Sequence, residues 1–194
     1  MDTAIQNTAD LKLFMLMLGC TPPGRHIEQH DIFLGIARSL KELVPEIKAY
    51  WPEPDRIHID AWREVTKVED FNIKVSPRYV ENPVGEQSQK LFFINLGGYQ
   101  ENKFEEQHYI LLTVKQDRSA AFAEAKETFF FQNNYFTGAY SHIDDKYGID
   151  VDDLYQIEDM LSPGQKDKYQ IEITPSSDLK EDDIHLGYFK LDKL

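Results

Sequence analysis

The sequence predicts an α+β fold made of two copies of one unit, and three observations carry that reading. Sliding the chain from Lys12 to Lys90 aligns residues 12–36 on 90–114 without a gap, and ten of those 25 positions are identical. Each copy holds a short apolar run and then an alternating segment, the period-two mark of a strand. Residues at helical spacing follow in each copy. Each unit therefore reads β-β-α-β-β. Two such copies on a short linker suggest pseudo-twofold symmetry, like a homodimer fused into one chain.

Residues 1–11 are polar and read as a loose N-terminal arm. The first unit spans 12–77. Leu13–Leu18 is a continuous apolar run ending in Gly19, short enough for a strand buried on both faces and central in its sheet. Leu91–Leu96 is its counterpart in the second unit. Pro22-Pro23-Gly24 marks a loop. His30, Ile32, Leu34 and Ile36 then share one strand face, repeated by His108, Ile110, Leu112 and Val114.

Ser39 with Glu42 resembles a capping box, and Leu40, Leu43, Val44, Ile47 and Trp51 fall at helical spacing. Pro45 lacks an N–H, which predicts a kink or break. Asp117 takes the place of Ser39 as the N-cap of the second helix, with Phe122, Ala125 and Phe129 as its buried stripe. Each unit should close in a hairpin. Ala61–Val68 turns at Glu69-Asp70 into Phe71–Pro77, and Leu154–Met160 turns through Ser162-Pro163-Gly164 into Tyr169–Pro175. Residues 78–89 are the linker, 90–175 the second unit with an insertion at about 140–153, and 176–194 a C-terminal extension. In that extension Leu186–Leu191 reads as a strand that returns to the sheet.

A chain of 194 residues with 41% hydrophobic content can bury a sizeable core. Its net charge is −13, from 34 acidic and 21 basic residues. Such a surface repels phosphate backbones and anionic lipid, so no nucleic acid and no membrane partner is expected. No apolar run reaches the ~18–20 residues of a membrane span. One cysteine, Cys20, excludes an intrachain disulfide and favours a reducing, cytoplasmic setting. Leu16–Cys20 imitates a lipoprotein signal, but Asp2 and Asp10 precede it where a signal peptide needs positive charge.

Four of the six histidines fall in short repeated motifs. His30 and His108 follow Glu28 and Glu106 in Glu-Gln-His. His58 and His142 open His-Ile-Asp with Asp60 and Asp144. A histidine with a carboxylate two residues away suits a general base or a pair of metal ligands. The same trio also suits a structural imidazole at the edge of a core, and its presence in both halves favours that role. In the His-Ile-Asp strand, Ile57, Ile59 and Ala61 should face the core, leaving His58, Asp60 and Trp62 on the other side. The stretch 129–153 gathers aromatic residues, Tyr140 among them, with His142 and Asp144, as a pocket wall would. Its carboxylates miss the calcium-loop pattern, since Gly148 sits at the fifth place from Asp144 instead of the sixth. A P-loop, a dinucleotide fingerprint and a Gly-x-Ser-x-Gly elbow are absent from the sequence.

With the repeat laid out, the chain resembles a small, mostly bacterial family known only as a domain of unknown function, number fifteen-forty-three. Lys12–Gly19, Glu28–Asp31 and His58–Trp62 carry the resemblance, with Lys90–Tyr99, Glu106–His108 and His142–Asp153 in the second copy. It implies no activity, cofactor or catalytic residue. The residues themselves favour a non-enzymatic cytoplasmic module that binds a small molecule or a protein partner, as monomer or homodimer. Glu28, His30, His58, Asp60, Trp62, Glu106, His108, Tyr140, His142 and Asp144 are the candidate contacts. The competing reading is a metal-dependent enzyme, with hydrolysis as the reaction considered. It would use the repeated His/carboxylate pairs across the pseudo-twofold.

Overall fold

The computed structural model describes residues 11–51, 56–78, 88–99, 102, 104–127, 149–177 and 180–194. In chain order these form β1 (Lys12–Cys20), β2 (Gln29–Ala37), α1 (Leu40–Tyr50), β3 (His58–Glu64), β4 (Lys67–Val68) and β5 (Phe71–Pro77). Next come β6 (Lys90–Tyr99), β7 (Glu106–Lys115), α2 (Arg118–Glu127) and β8 (Ile149–Gln156). The chain ends with α3 (Ile157–Met160), α4 (Pro163–Lys168), β9 (Tyr169–Pro175) and β10 (His185–Lys190). Two compact units result: Met1–Val84 with Glu158–Leu194, and Gly85–Ile157. The fold is α+β, as the sequence predicts. Among the described residues no helix is long and apolar enough to cross a membrane.

In the first unit β1 lies inside a four-stranded sheet of order β10-β3-β1-β2. Its apolar run explains the central place, because both faces are covered. Phe14, Leu16, Leu18 and Cys20 pack with Leu43, Ile47 and Trp51 of the α1 segment, together with Phe33, Ile57 and Ile59. Burying each large aliphatic side chain contributes ~1.5–3 kcal/mol. The opposite face carries the cross-strand pairs Leu13↔Ile36, Met15↔Leu34, Met17↔Ile32 and Gly19↔His30. Thus the alternation of β2 ends with His30 beside a glycine.

Helix α1 runs unbroken through Pro45, so of the expected kink or break the break does not occur. Both Pro45 and Lys41, whose carbonyl loses its donor, are exposed, so water can satisfy that carbonyl. The capping box is half made. The Ser39 hydroxyl accepts no cap bond from the first turn, while Glu42 Oε2 accepts from the N–H of Arg38, the residue before the cap, at 3.0 Å.

The first closing hairpin is short, with β4 of two residues and a turn in which Glu69 has φ 54°. Half of the expected first arm, Ala61–Glu64, belongs to β3, which pairs with β1 and β10. The second hairpin does not form. Ser162-Pro163-Gly164 starts α4, with Pro163 in the first turn where its missing N–H has no helical partner to lose. Strand β9 pairs with β5, in a register running from Phe71↔Pro175 through Lys74↔Glu172 to Pro77↔Tyr169. The two similar heptads thereby meet symmetrically about Lys74 and Glu172.

The C-terminal strand returns to the sheet against β3 as expected. Its approach is fixed by Asp182, whose carboxylate accepts from the Thr66 N–H at 3.0 Å, the Thr66 hydroxyl at 2.5 Å and the Lys67 N–H at 3.3 Å. Burial pushes the Arg63 guanidinium below its ordinary pKa, an effect opposed by Asp182 and Glu181.

Helix α4 supplies Gln165, which is buried. Its Oε1 accepts from Ile36 N at 2.9 Å and its Nε2 donates to Ile36 O at 3.0 Å, completing the outer edge of β2. Gln165→Ala should cost about 2–4 kcal/mol, since it strands two buried backbone groups at ~1–3 kcal/mol each. Urea unfolding would check this; a loss under about 1 kcal/mol would mean that water replaces the amide.

In the second unit β6 is the centre of a three-stranded sheet, order β7-β6-β8. Its pairing Lys90↔Lys115 to Gly97↔His108 repeats Lys12↔Ala37 to Gly19↔His30. Asp117 caps α2 through its Oδ1, which accepts from Ala120 N at 2.9 Å. The buried stripe differs from the one expected. Ala121 and Ala125 pack on Phe92, Ile94, Leu96 and Leu154, while Phe122 is exposed. Small residues at this contact let the helix approach the sheet. Phe129 lies outside the described residues.

Candidate functional site

Gly19 is the floor of a histidine–carboxylate cluster. The register places His30 of β2 and His58 of β3 directly opposite it, one on each side. A row His30–Gly19–His58 thus crosses three strands on one face. Between Leu18↔Ile59 and Met17↔Ala61 the register of β3 shifts, leaving Asp60 as the extra residue of a bulge. Bulges re-aim side chains, and this one turns the Asp60 carboxylate onto the same spot. Glu28 reaches it from the residue before β2.

The four side chains interlock. His58 Nε2 lies 3.1 Å from Glu28 Oε1 and 3.1 Å from Asp60 Oδ1, while His30 Nε2 lies 3.2 Å from Asp60 Oδ2 and 3.7 Å from Glu28 Oε2. One donor atom each from Glu28, His30 and Asp60 falls within a mutual 4.8 Å, and His58 adds a fourth beside both carboxylates. The two imidazoles approach opposite oxygens of the same two carboxylates, His58 facing Oε1 and Oδ1 and His30 facing Oε2 and Oδ2.

His58 is only 4% exposed, and neither of its ring nitrogens makes a hydrogen bond. Its Nε2 instead faces two carboxylate oxygens, each at 3.1 Å. Asp60 Oδ2 is likewise buried and without a hydrogen bond. The ring of Tyr188, from β10, covers the imidazole with centroids 4.1 Å apart. A Cβ at Gly19 would stand 2.3 Å from Asp60 Oδ2 and 2.6 Å from His58 Nε2, so the cluster occupies space that any other residue would fill.

The Glu-Gln-His and His-Ile-Asp motifs, separate in sequence, therefore form one site within the first unit. Trp62 is not part of it. The bulge reverses the parity of β3, so Trp62 stands opposite Leu16 on the core side, 6.2 Å from the Phe14 ring. There it stacks on His185 at 3.9 Å. Sequence reasoning missed Gly19 and Tyr188. The repeated glycine at the end of each apolar run was the available signal.

The second unit has a reduced version. His108 Nδ1 is 3.5 Å from Asp152 Oδ2, and its Nε2 is 3.8 Å from Glu106 Oε2. Gly97 again provides the space, since a Cβ there would lie 2.1 Å from Asp152 Oδ2. Asp152 is also a bulge residue, between Asn95↔Asp153 and Leu96↔Val151. The residue opposite Gly97 on β8 is Asp150, where the first unit has His58. The expected counterpart of His58-Ile59-Asp60 is His142-Ile143-Asp144; on β8 it is Asp150 that stands opposite Gly97. Tyr140, His142 and Asp144 themselves lie outside the described residues.

Comparison with known proteins adds to this geometry without naming a reaction. No curated protein matches the sequence. A solved structure, described as the crystal structure of a protein Il1583 from Idiomarina loihiensis, is similar in fold. It has a TM-score of 0.61 and 22% identity, over 94% of this chain and 98% of that one. The family described as Domain of Unknown Function (DUF1543) matches residues 25–75, the stretch that supplies Glu28, His30, His58 and Asp60.

Proposed function

We propose that the first unit binds one divalent first-row transition-metal ion through Glu28, His30, His58 and Asp60, and that ligand exchange at this ion is the protein's function. The observation that carries it is His58, a buried imidazole without a hydrogen bond whose Nε2 faces two carboxylates. Two imidazoles and two carboxylates offer borderline and hard donors, which suits Zn²⁺, Fe²⁺ or Mn²⁺ over a soft ion. The two negative charges match a divalent cation. Glu28 and His30 have side chains 40% and 45% exposed, so solvent reaches the ion. Open access is the habit of catalytic sites, while structural zinc sites are closed. That access favours a metal-dependent small-molecule site, hydrolysis included, over a protein-docking module.

Repeated register, bulge, glycine and Glu-His-Asp set support a further part of this reading, that the chain is two tandem copies of one ancestral unit. The second copy has Asp150 in place of the buried histidine and should bind metal more weakly. A cytoplasmic setting, proposed from the lone cysteine, would keep the site supplied from the cell's metal pool.

The test is metal stoichiometry. Protein stripped with a chelator and titrated with Zn²⁺ or Mn²⁺ should take up one tight equivalent per chain. Metal at 100 times its Kd stabilises the native state by ~2.7 kcal/mol. For a chain of this size that raises Tm on the order of 5–10 °C. Absence of saturable uptake for any divalent first-row ion would overturn the proposal.

A further inference from the structure

A cavity of about 560 Å³ opens beside the cluster, and Glu28 and His58 belong to its wall. The rest of that wall is unusual for so acidic a chain. Lys48 comes from the last turn of α1, Arg56 from the approach to β3, and Lys190 from the end of β10. Three cations from three separate segments thus converge on one cavity, in a chain with 34 acidic and 21 basic residues. Among the described residues none of the three is in an ion pair. Arg56 Nη1 donates only to the Thr21 carbonyl, at 3.4 Å. Among the described residues Asp192 is the one additional carboxylate on the wall, and it lies 3.8 Å from Lys193 Nζ.

Three cations and two carboxylates around a concave site of this size, among the described residues, suit an anionic small molecule; ligand pockets are typically ~300–1,000 Å³. From the number of charges we infer that the ligand bears a phosphate group, held between the ion at Glu28 and His58 and the clamp of Lys48, Arg56 and Lys190. A carboxylate is matched by one cation, whereas a phosphate with up to two charges and three free oxygens is matched by an ion and several donors. Arg56 can meet two of those oxygens with its planar fork, and the lysines act as point charges. Tyr188, its ring tilted over His58, offers an aromatic wall for the remainder of the molecule. The inference rests on the metal reading for its innermost contact and on the cations for the rest.

Inorganic phosphate is the probe, titrated calorimetrically at low ionic strength into metal-free protein and into protein carrying one equivalent of Zn²⁺. The expected result is saturable one-to-one binding, at least 10-fold tighter with Zn²⁺ present. The triple variant Lys48→Gln/Arg56→Gln/Lys190→Gln should take up Zn²⁺ as the parent does and bind phosphate at least 10-fold more weakly. Zn²⁺ uptake without saturable phosphate binding, or equal phosphate affinity in the triple variant, overturns the inference and leaves the metal reading standing. If Zn²⁺ does not bind, the metal reading fails, and the metal-free titration decides this one. Phosphate binding lost in the triple variant then supports the cationic clamp, and no phosphate binding removes it.

Discussion

Gly19→Ala should weaken metal binding by roughly 100-fold, the upper end of what displacing a site's supporting groups costs. The substitution adds one carbon, 2.3 Å from Asp60 Oδ2 and 2.6 Å from His58 Nε2, distances that real Cβ contacts do not reach. His58 is buried and stacked under Tyr188, so it has little room to retreat. Asp60 sits on a bulge and is the group that moves. Displacement of the carboxylate opens the donor set on one side, and the ion loses a charged ligand. Because Gly19 is at the end of β1 and extended, alanine meets no backbone penalty there, and the fold should survive. Competition with a chromogenic zinc chelator measures the affinity, and circular dichroism checks the fold. Gly97→Ala is the internal control, since its Cβ would meet Asp152 in the second unit, where Asp150 stands opposite the glycine. It should leave the tight equivalent intact. If Gly19→Ala binds metal like the parent, Asp60 is no ligand and the proposed donor set is wrong.

That glycine also shows what was legible in the sequence. The similarity of 12–36 to 90–114 exposed the strands β1, β2, β6 and β7, because an apolar run and a period-two face are local properties. It exposed Glu28, His30, Glu106 and His108 for the same reason. What it could not expose was pairing. Asp60 and His58 meet Glu28 and His30 only because β1 lies between β2 and β3, and which strands neighbour one another depends on long-range packing. The parity of Trp62 was lost to a single bulged residue, since one inserted position flips every side chain beyond it. Pro163 misled for a different reason. Ser-Pro-Gly suits a turn and a helix start equally well, and Gln165, buried against the edge of β2, decides for the helix. In the second unit, His142-Ile143-Asp144 matched the motif in letters, while the register gave its place on β8 to Asp150 and Asp152. Similar tripeptides are weaker guides to correspondence than a shared bulge.

His58→Leu should divide function from stability more sharply than any other substitution in the site. Leucine removes the imidazole donor while keeping an apolar body under Tyr188 and next to Gly19. Tight metal uptake should disappear, a change of at least about 100-fold. The metal-free protein should be as stable as the parent or more so by about 1–2 kcal/mol, because two buried nitrogens without hydrogen bonds are gone. Gains of this kind are common where a site is maintained at the expense of stability. A purely structural cluster predicts the opposite sign. If His58 served only to bind Glu28 and Asp60 together, its removal would leave carboxylates uncompensated and cost about 3–5 kcal/mol. Urea unfolding of metal-free parent and variant separates the two cases through the sign alone, and metal analysis of the same samples supplies the second reading. A variant that loses metal and gains stability is what a metal site predicts. One that loses several kcal/mol would make the cluster a strut between β2 and β3, and would return the chain to the class of binding modules without a metal.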